Sequence, residues 1–323
     1  MVLAGLLLLL NGCANEVEVH SPEGSLPVVY CLLDLDHDDQ YVRVGRTFRG
    51  GQGMNPDGLP DDSLRIREEH RVYVERWDQG LLAETIEFEP VAGFQRDSGL
   101  FAPGPLDIYR ARFSVRSNTR YLLYVWFPAD DRMVSGETRT VGRPVIEDPK
   151  PLSSREITFI PERSYTLRWF TGSDSGINQG CFTIRYLEYL QGGTQLQSFQ
   201  LYLQPYYVTQ TGSWVSQVVS PNRFFNALIE NIHVEDSVSR ELLPMDFTMI
   251  TAGDDLSFFI KAQQPSFWMN LSQYTNLDGA FGIFSSVSEI SVPNLRLSDL
   301  TRYFVATDSL TRKLNFRNPY EYP

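Results

Sequence analysis

The sequence predicts a mainly β protein made of two β-sandwich domains of immunoglobulin-like type, and three observations predict it. Short segments alternate apolar and polar residues with the two-residue period of a pleated strand. These segments are rich in Val, Ile, Tyr, Phe and Thr, and Gly, Pro, Asp and Asn separate them. The chain also has 323 residues, 42% hydrophobic and 13% aromatic, more than one core usually serves, so two domains are expected.

Taken in order, residues 2–10 (VLAGLLLLL) form an uncharged apolar run too short to cross a bilayer, which needs about 20 apolar residues. Leu10-Asn11-Gly12-Cys13 then has the form of a lipobox, a small residue directly before a cysteine at the end of a signal-peptide core. The expectation is a signal peptide over 1–12, cleavage before Cys13, and acyl chains on Cys13 that hold the protein at a membrane surface. Residues 13–25 are polar, acidic and turn-rich, as a tether is.

The N-terminal sandwich is expected over 26–143. Its strands are PVVYCLLDL (27–35), QYVRVGRTF (40–48), HRVYVERW (70–77), DIYRARFSV (107–115) and RYLLYVWF (120–127). Residues 49–62 carry Gly and Pro without apolar periodicity, the signature of an exposed loop. Pro144, Pro149 and Pro151 exclude helix and mark a linker over 144–153.

A second β-rich domain is expected over 154–323. Its strands are REITFI (155–160), SYTLRWF (164–170), CFTIRYLEYL (181–190), QLQSFQLYL (195–203), WVSQVVS (214–220), MDFTMIT (245–251) and LSFFIKA (256–262). One segment breaks the alternation. Ser220 offers an N-cap, Pro221 suits the first helical position, and Phe224, Phe225, Leu228 and Ile232 share one face, so a helix is expected over 221–232. A shorter helix is expected over 298–306, capped by Ser298, with Leu300, Tyr303 and Phe304 as its apolar positions.

Charge and cysteine content narrow the function. A formal net charge of −12 repels nucleic acid, so none is expected as a partner. Cys31 and Cys181 each sit in an apolar strand and are expected as separate buried thiols, and no C-x-x-C pair supports a redox motif or zinc knuckle. Asp34-Leu35-Asp36-His37-Asp38-Asp39 has the spacing that opens a calcium loop. An EF-hand, however, needs Gly at Asp39 and Glu at Gly45, so a solvated hairpin turn with an exposed His37 is expected. Gly172-Ser173-Asp174-Ser175-Gly176 places Asp174 where a nucleophile elbow needs serine. His20, His37, His70 and His233 have no metal-ligand spacing. No catalytic residue, metal or cofactor is expected, and the leading expectation is a binding or accessory protein, with a surface hydrolase on a β scaffold or a purely structural envelope lipoprotein as the alternatives.

Aromatic residues point instead to contact. Tyr206, Tyr207 and Trp214 crowd one stretch and suit a stacking platform, while Phe267-Trp268-Met269 place apolar bulk in an expected loop.

Two blocks carry a likeness. PVVYCLLDLDHDDQYVRVGRTFRG (27–50), following a lipobox, resembles the opening of an uncharacterised family of Bacteroidota outer-membrane lipoproteins, with a P-V-V-Y-x-L-L-D strand, an acidic turn and a Y-V/I-R/K-V strand ending in R-x-F. QPSFWMNLSQYTNLDGAFGIFSS (264–286) is similar to that family's C-terminal stretch through Tyr274, Thr275, Asn276, Gly279, Gly282, Ile283, Phe284, Ser285 and Ser286. An arginine commonly follows the two serines in the family, and Val287 stands there in this chain. The resemblance implies a β-rich outer-membrane lipoprotein, often encoded near TonB-dependent transporters, with no established chemistry. Such a transporter or another envelope protein is therefore the expected partner. Read physically, Asn276, Asp278, Gly279 and Gly282 suit a tight turn and bulge that deliver Ile283 and Phe284 to a core. Asp62-Ser63-Leu64, Asp236-Ser237-Val238 and Asp308-Ser309-Leu310 match a D-S/T-apolar glycosylation pattern of exported Bacteroidota proteins.

Overall fold

Alternation in the first expected strand buries Val29, Cys31 and Leu33 and turns the residues between them outward. That strand, β1 (Pro27–Asp34), forms a hairpin with β2 (Asp39–Arg46), with Val29 opposite Val44. The computed structural model describes residues 25–47, 64–92, 106–150, 156–263 and 274–321. The signal segment, Cys13, most of the tether, the 49–62 loop and Phe267-Trp268-Met269 lie outside the described residues.

A second hairpin joins β3 (Arg71–Asp78) to β4 (Leu81–Val91). Gln79 and Gly80 make its two-residue turn with φ of 53° and 82°, the left-handed values whose twist matches flanking strands. β4 pairs with β3 as far as Phe88 and with β5 (Ile108–Arg112) from Glu89 onward, so it carries the sheet from one layer to the next. β5 returns to β2, while β6 (Arg120–Phe127) pairs with β3 and with β7 (Arg132–Arg139). Between these layers lie Val42, Val74, Tyr121, Leu123, Val125 and Phe127.

The stretch 144–153 is more than a linker. It contains β8 (Val145–Asp148), which pairs with β9 (Tyr165–Phe170), and β9 pairs with β13 (Trp214–Val219) to make a three-stranded sheet. Beside it the long β10 (Ser175–Leu190) pairs with β11 (Gly193–Tyr202), the two-residue β12 (Tyr206–Tyr207), β14 (Ser239–Leu242) and β15 (Met245–Gly253). The second core holds Phe159, Trp169, Phe182, Ile184, Phe224, Leu228, Phe247 and Met249. A buried polar knot within it is satisfied: Trp169 Nε1 donates to Asn178 Oδ1 at 3.1 Å, and Asn178 Nδ2 donates to Thr251 Oγ1 at 2.8 Å.

After β16 (Leu277–Asp278), β17 (Phe281–Leu295) joins the halves. It pairs antiparallel with β15 and parallel with β1, so one large mixed sheet runs through both cores. Leu277, Ala280 and Phe284, from the C-terminal half, belong to the N-terminal core. The approach of β17 to β1 requires glycine at 282, where φ is +122° and a Cβ would lie 1.8 Å from the Val29 carbonyl oxygen.

Three α-helices stand among the described residues. α1 (Pro221–Asn231) buries Phe224, Phe225 and Leu228, and Ile232 follows as its C-cap, the face expected from its spacing. α3 (Asp299–Thr307) is capped by the Ser298 hydroxyl, which accepts from the Thr301 N–H, again as expected. Its buried residues are Thr301 and Val305, and of the three expected apolar positions Phe304 packs against the core, Tyr303 is half-buried and Leu300 is exposed. α2 (Asp254–Ala262) corrects the strand expected at LSFFIKA. Gly253 caps it, Asp254 and Asp255 occupy the first turn and Lys261 the last, which complements the helix dipole, and a run this short fits either period. Residues 156–160 of REITFI are also not a strand. Ile157 and Phe159 are buried, but Ile157 makes only an isolated bridge to Leu297, and Phe159 N–H donates to Thr301 Oγ1 at 2.8 Å. Among the described residues no helix is long and apolar enough to cross a membrane, which leaves strand-built spans unaddressed.

Candidate functional site

The three-stranded sheet has one face in the second core and one in water. Leu167, Trp169 and Val215 point inward, so the alternate residues Thr166, Arg168, Phe170, Trp214, Ser216 and Val218 point out. Register aligns Trp214, Phe170 and Val145 in one row across the strands. The Trp214 ring meets Phe170 edge-on at 5.4 Å, and the Arg168 guanidinium lies 5.1 Å from the Trp214 centroid. Glu147 holds Arg168 through a 2.9 Å ion pair. Trp214 remains 50% exposed and Val218 66% exposed, and Val145 is open as well. A row of apolar residues with a charged pair at its side is chemistry for holding a partner or the face of a ring.

The aromatic stretch singled out in the sequence therefore divides. Adjacent residues of a strand take opposite faces, so Tyr206 packs inward edge-on to Trp169 at 5.7 Å while Tyr207 meets α2, where Lys261 Nζ sits 4.4 Å over its ring. Trp214 alone of the three joins the exposed row. Phe170, Arg168, Val145 and Val218 were not distinguished in the sequence, although pairing the outward residues of SYTLRWF with those of WVSQVVS would have found three of them.

A smaller aromatic group lies on α2. Phe258 is exposed, Lys261 Nζ is 5.5 Å from its ring, and Tyr274 packs on it at 5.8 Å. Tyr274 OH donates to Asp255 Oδ1 at 2.7 Å. Burial raises the Asp255 carboxyl above the usual carboxylate range and Asp254 adds to this, against hydrogen bonds from Tyr274 and Asn276.

The remaining motifs build the fold. The acidic turn is the expected hairpin with His37 exposed, but it is less solvated than expected. Asp36 pairs with Arg143 at 2.6 Å and accepts from the Glu289 N–H at 2.6 Å, pinning the turn to β17. Asp34 accepts from the Asp36 N–H and holds His37 at 2.9 Å, a bond that raises the imidazole's pKa. Gly172 lies where a Cβ would meet the Gly142 carbonyl at 1.9 Å, so that loop is a packed turn. Asn276 closes its own turn by accepting from Phe284 N–H at 2.9 Å and donating to Phe284 O at 2.7 Å. Cys31 and Cys181 are free and buried, and burial pushes the Cys181 thiol up to about 11. Ser237 and Ser309, of the D-S-apolar stretches, are exposed. Among the described residues no group of three His, Cys, Asp or Glu could hold a metal ion.

No family model and no curated protein matches the chain. Among solved structures, the C-terminal globular domain of an oligosaccharyltransferase from Pyrococcus abyssi is similar at 11% identity and a TM-score of 0.18. The match covers 83% of this chain and 46% of that one, so the chain spans about half of that structure. A likeness this distant carries no argument about function.

Proposed function

We propose that the protein is a lipid-anchored outer-membrane protein of two immunoglobulin-like β-sandwich units, which binds a TonB-dependent transporter or another envelope protein and is not an enzyme. The observation that supports binding is the solvent-facing row of Trp214, Phe170 and Val145 beside Arg168. Water-exposed apolar bulk on a rigid sheet costs free energy unless a partner covers it, and Trp and Arg are the residues most often dominant in interfaces. The address rests on Cys13 in its lipobox and on the resemblance of the two blocks to outer-membrane lipoproteins.

The experiment is capture of the tagged full-length protein from detergent-solubilised envelopes, wild type beside Trp214→Ala. A transporter or other envelope protein should accompany the wild type and be recovered at least tenfold less with the variant, while the melting temperatures agree. Equal recovery with both proteins would refute the assignment of this face.

A further inference from the structure

From Tyr189 to Asn222 the chain has no Asp, Glu, Lys, Arg or His, although 21% of the protein's residues are charged and the net charge is −12. β11 lies in this stretch and is the end strand of the large sheet. Its residues pair with β10 without a bulge from Tyr202, opposite Cys181, to Gly193, opposite Leu190. Among the described residues no strand lies along its other edge.

Proteins blunt such edges with charges, prolines, bulges or short length. Elsewhere this molecule does so. β16 has two residues, β8 has four with Glu147 and Asp148 among them, and β14 has four with Arg240 and Glu241. Gln217 of β13 donates to the Gln204 carbonyl at 2.8 Å. β11 is ten uncharged residues, GTQLQSFQLY, and only the Arg223 guanidinium on the Tyr202 carbonyl marks its far end.

We propose that β11 joins two copies of this chain, the strands pairing antiparallel across a twofold axis so that the sheet continues from one protomer into its partner. Charge selects the second copy as occupant. Two chains of net charge −12 repel where their charged surfaces meet, and an uncharged strand lets identical surfaces approach without that cost.

Geometry then sets the register. An axis normal to the sheet keeps both inward faces on one side, so residues opposite each other must share a face. Phe199 and Leu201 face the core, whereas Leu196, 62% exposed, and Tyr202 face water. Gly193, at φ +142°, belongs to the turn, which leaves Thr194–Tyr202 as the regular strand with Ser198 at its centre. On an axis through Ser198, Leu196 meets the partner's Gln200 and Thr194 meets the partner's Tyr202, each contact occurring twice. On the inward face Gln197 meets the partner's Phe199.

The test uses full-length protein in mild detergent, with mass measured by sedimentation or light scattering across a range of concentrations. The wild type should dimerise. Leu196→Lys with Gln200→Lys sets like charges opposite each other twice and should weaken the dimer at least tenfold, with the melting temperature unchanged because both side chains point to water. Leu196→Lys with Gln200→Glu makes each of those pairs attractive and should restore it. A monomeric wild type refutes the proposal, including one in which the lysine variant loses an envelope partner instead. So does a dimer that the double lysine variant leaves intact, or equal dissociation of both double variants.

Discussion

Arg240 is 2% exposed, a guanidinium sealed into the C-terminal core, and how it is held defines a sharp stability test. Nε donates to Glu188 at 2.8 Å, Nη1 to the Leu314 carbonyl at 2.8 Å and Nη2 to the His233 carbonyl at 3.1 Å. Arginine does not deprotonate in proteins, so losing its carboxylate leaves a buried charge facing only neutral acceptors. Removing one partner of a buried pair costs about 3–5 kcal/mol. Glu188 is 15% exposed and both carbonyls persist, which lowers the expectation for Glu188→Gln to about 2–4 kcal/mol. At about 2–4 °C per kcal/mol for a unit of 150–250 residues, its melting temperature should fall by about 4–16 °C. Glu188→Met with Arg240→Met removes both charges and should cost less than the sum of the single changes. Thermal unfolding followed by circular dichroism measures all of these. A Glu188→Gln protein melting within about 1 °C of wild type, or strict additivity in the cycle, would show that Arg240 draws nothing from its carboxylate.

Cys13→Ser should release the protein from the membrane fraction with its fold intact, since acylation needs the thiol; wild type left unlabelled by a fatty-acid analogue would oppose this. Gly282→Ala should destabilise by about 2–6 kcal/mol, combining a disfavoured dihedral with overlap on Val29, and a urea midpoint equal to wild type would contradict the close approach of β17 to β1. Asp255 has a folded pKa above its unfolded value, so the stability it contributes is present below the unfolded pKa and is lost as pH rises through the folded one. Asp255→Asn should therefore melt higher than wild type at neutral pH and lose that advantage in acid; parallel profiles would mean the carboxyl is not raised.

Legibility in the sequence followed the ratio of local to non-local cause. β1, β2, β3 and β6 are half-buried strands whose alternation is visible residue by residue. α1 was legible because Ser220, Pro221 and four apolar residues agree on one period. β17 was not. Its residues FGIFSSVSEISVPNL begin with glycine and serines that look like a turn, yet Ser285 and Ser286 are wholly buried because the strand lies between β1 and β15. Ser286 Oγ accepts from the Val141 N–H at 3.0 Å, so its burial depends on a residue remote in sequence. β4 hides similarly, since Leu81 and Leu82 at its start are both exposed and blur the alternation.

The residues most like a motif turned out to serve the seam between the two cores. Asn276 replaces strand hydrogen bonds, Gly282 admits β1, and Asp36 ties the acidic turn to β17. Such residues look exceptional because close approach tolerates few side chains, which makes an unusual pattern a sign of architecture before it is a sign of chemistry. The proposed binding face obeys the opposite logic. Val145, Phe170, Trp214 and Val218 occupy ordinary alternating positions, and only their register across three strands distant in sequence gathers them on one exposed face. A search of this chain for a ligand by motif is therefore drawn to its seam, whereas a search by exposed apolar register is drawn to the small sheet, where single substitutions can alter binding without disturbing the fold.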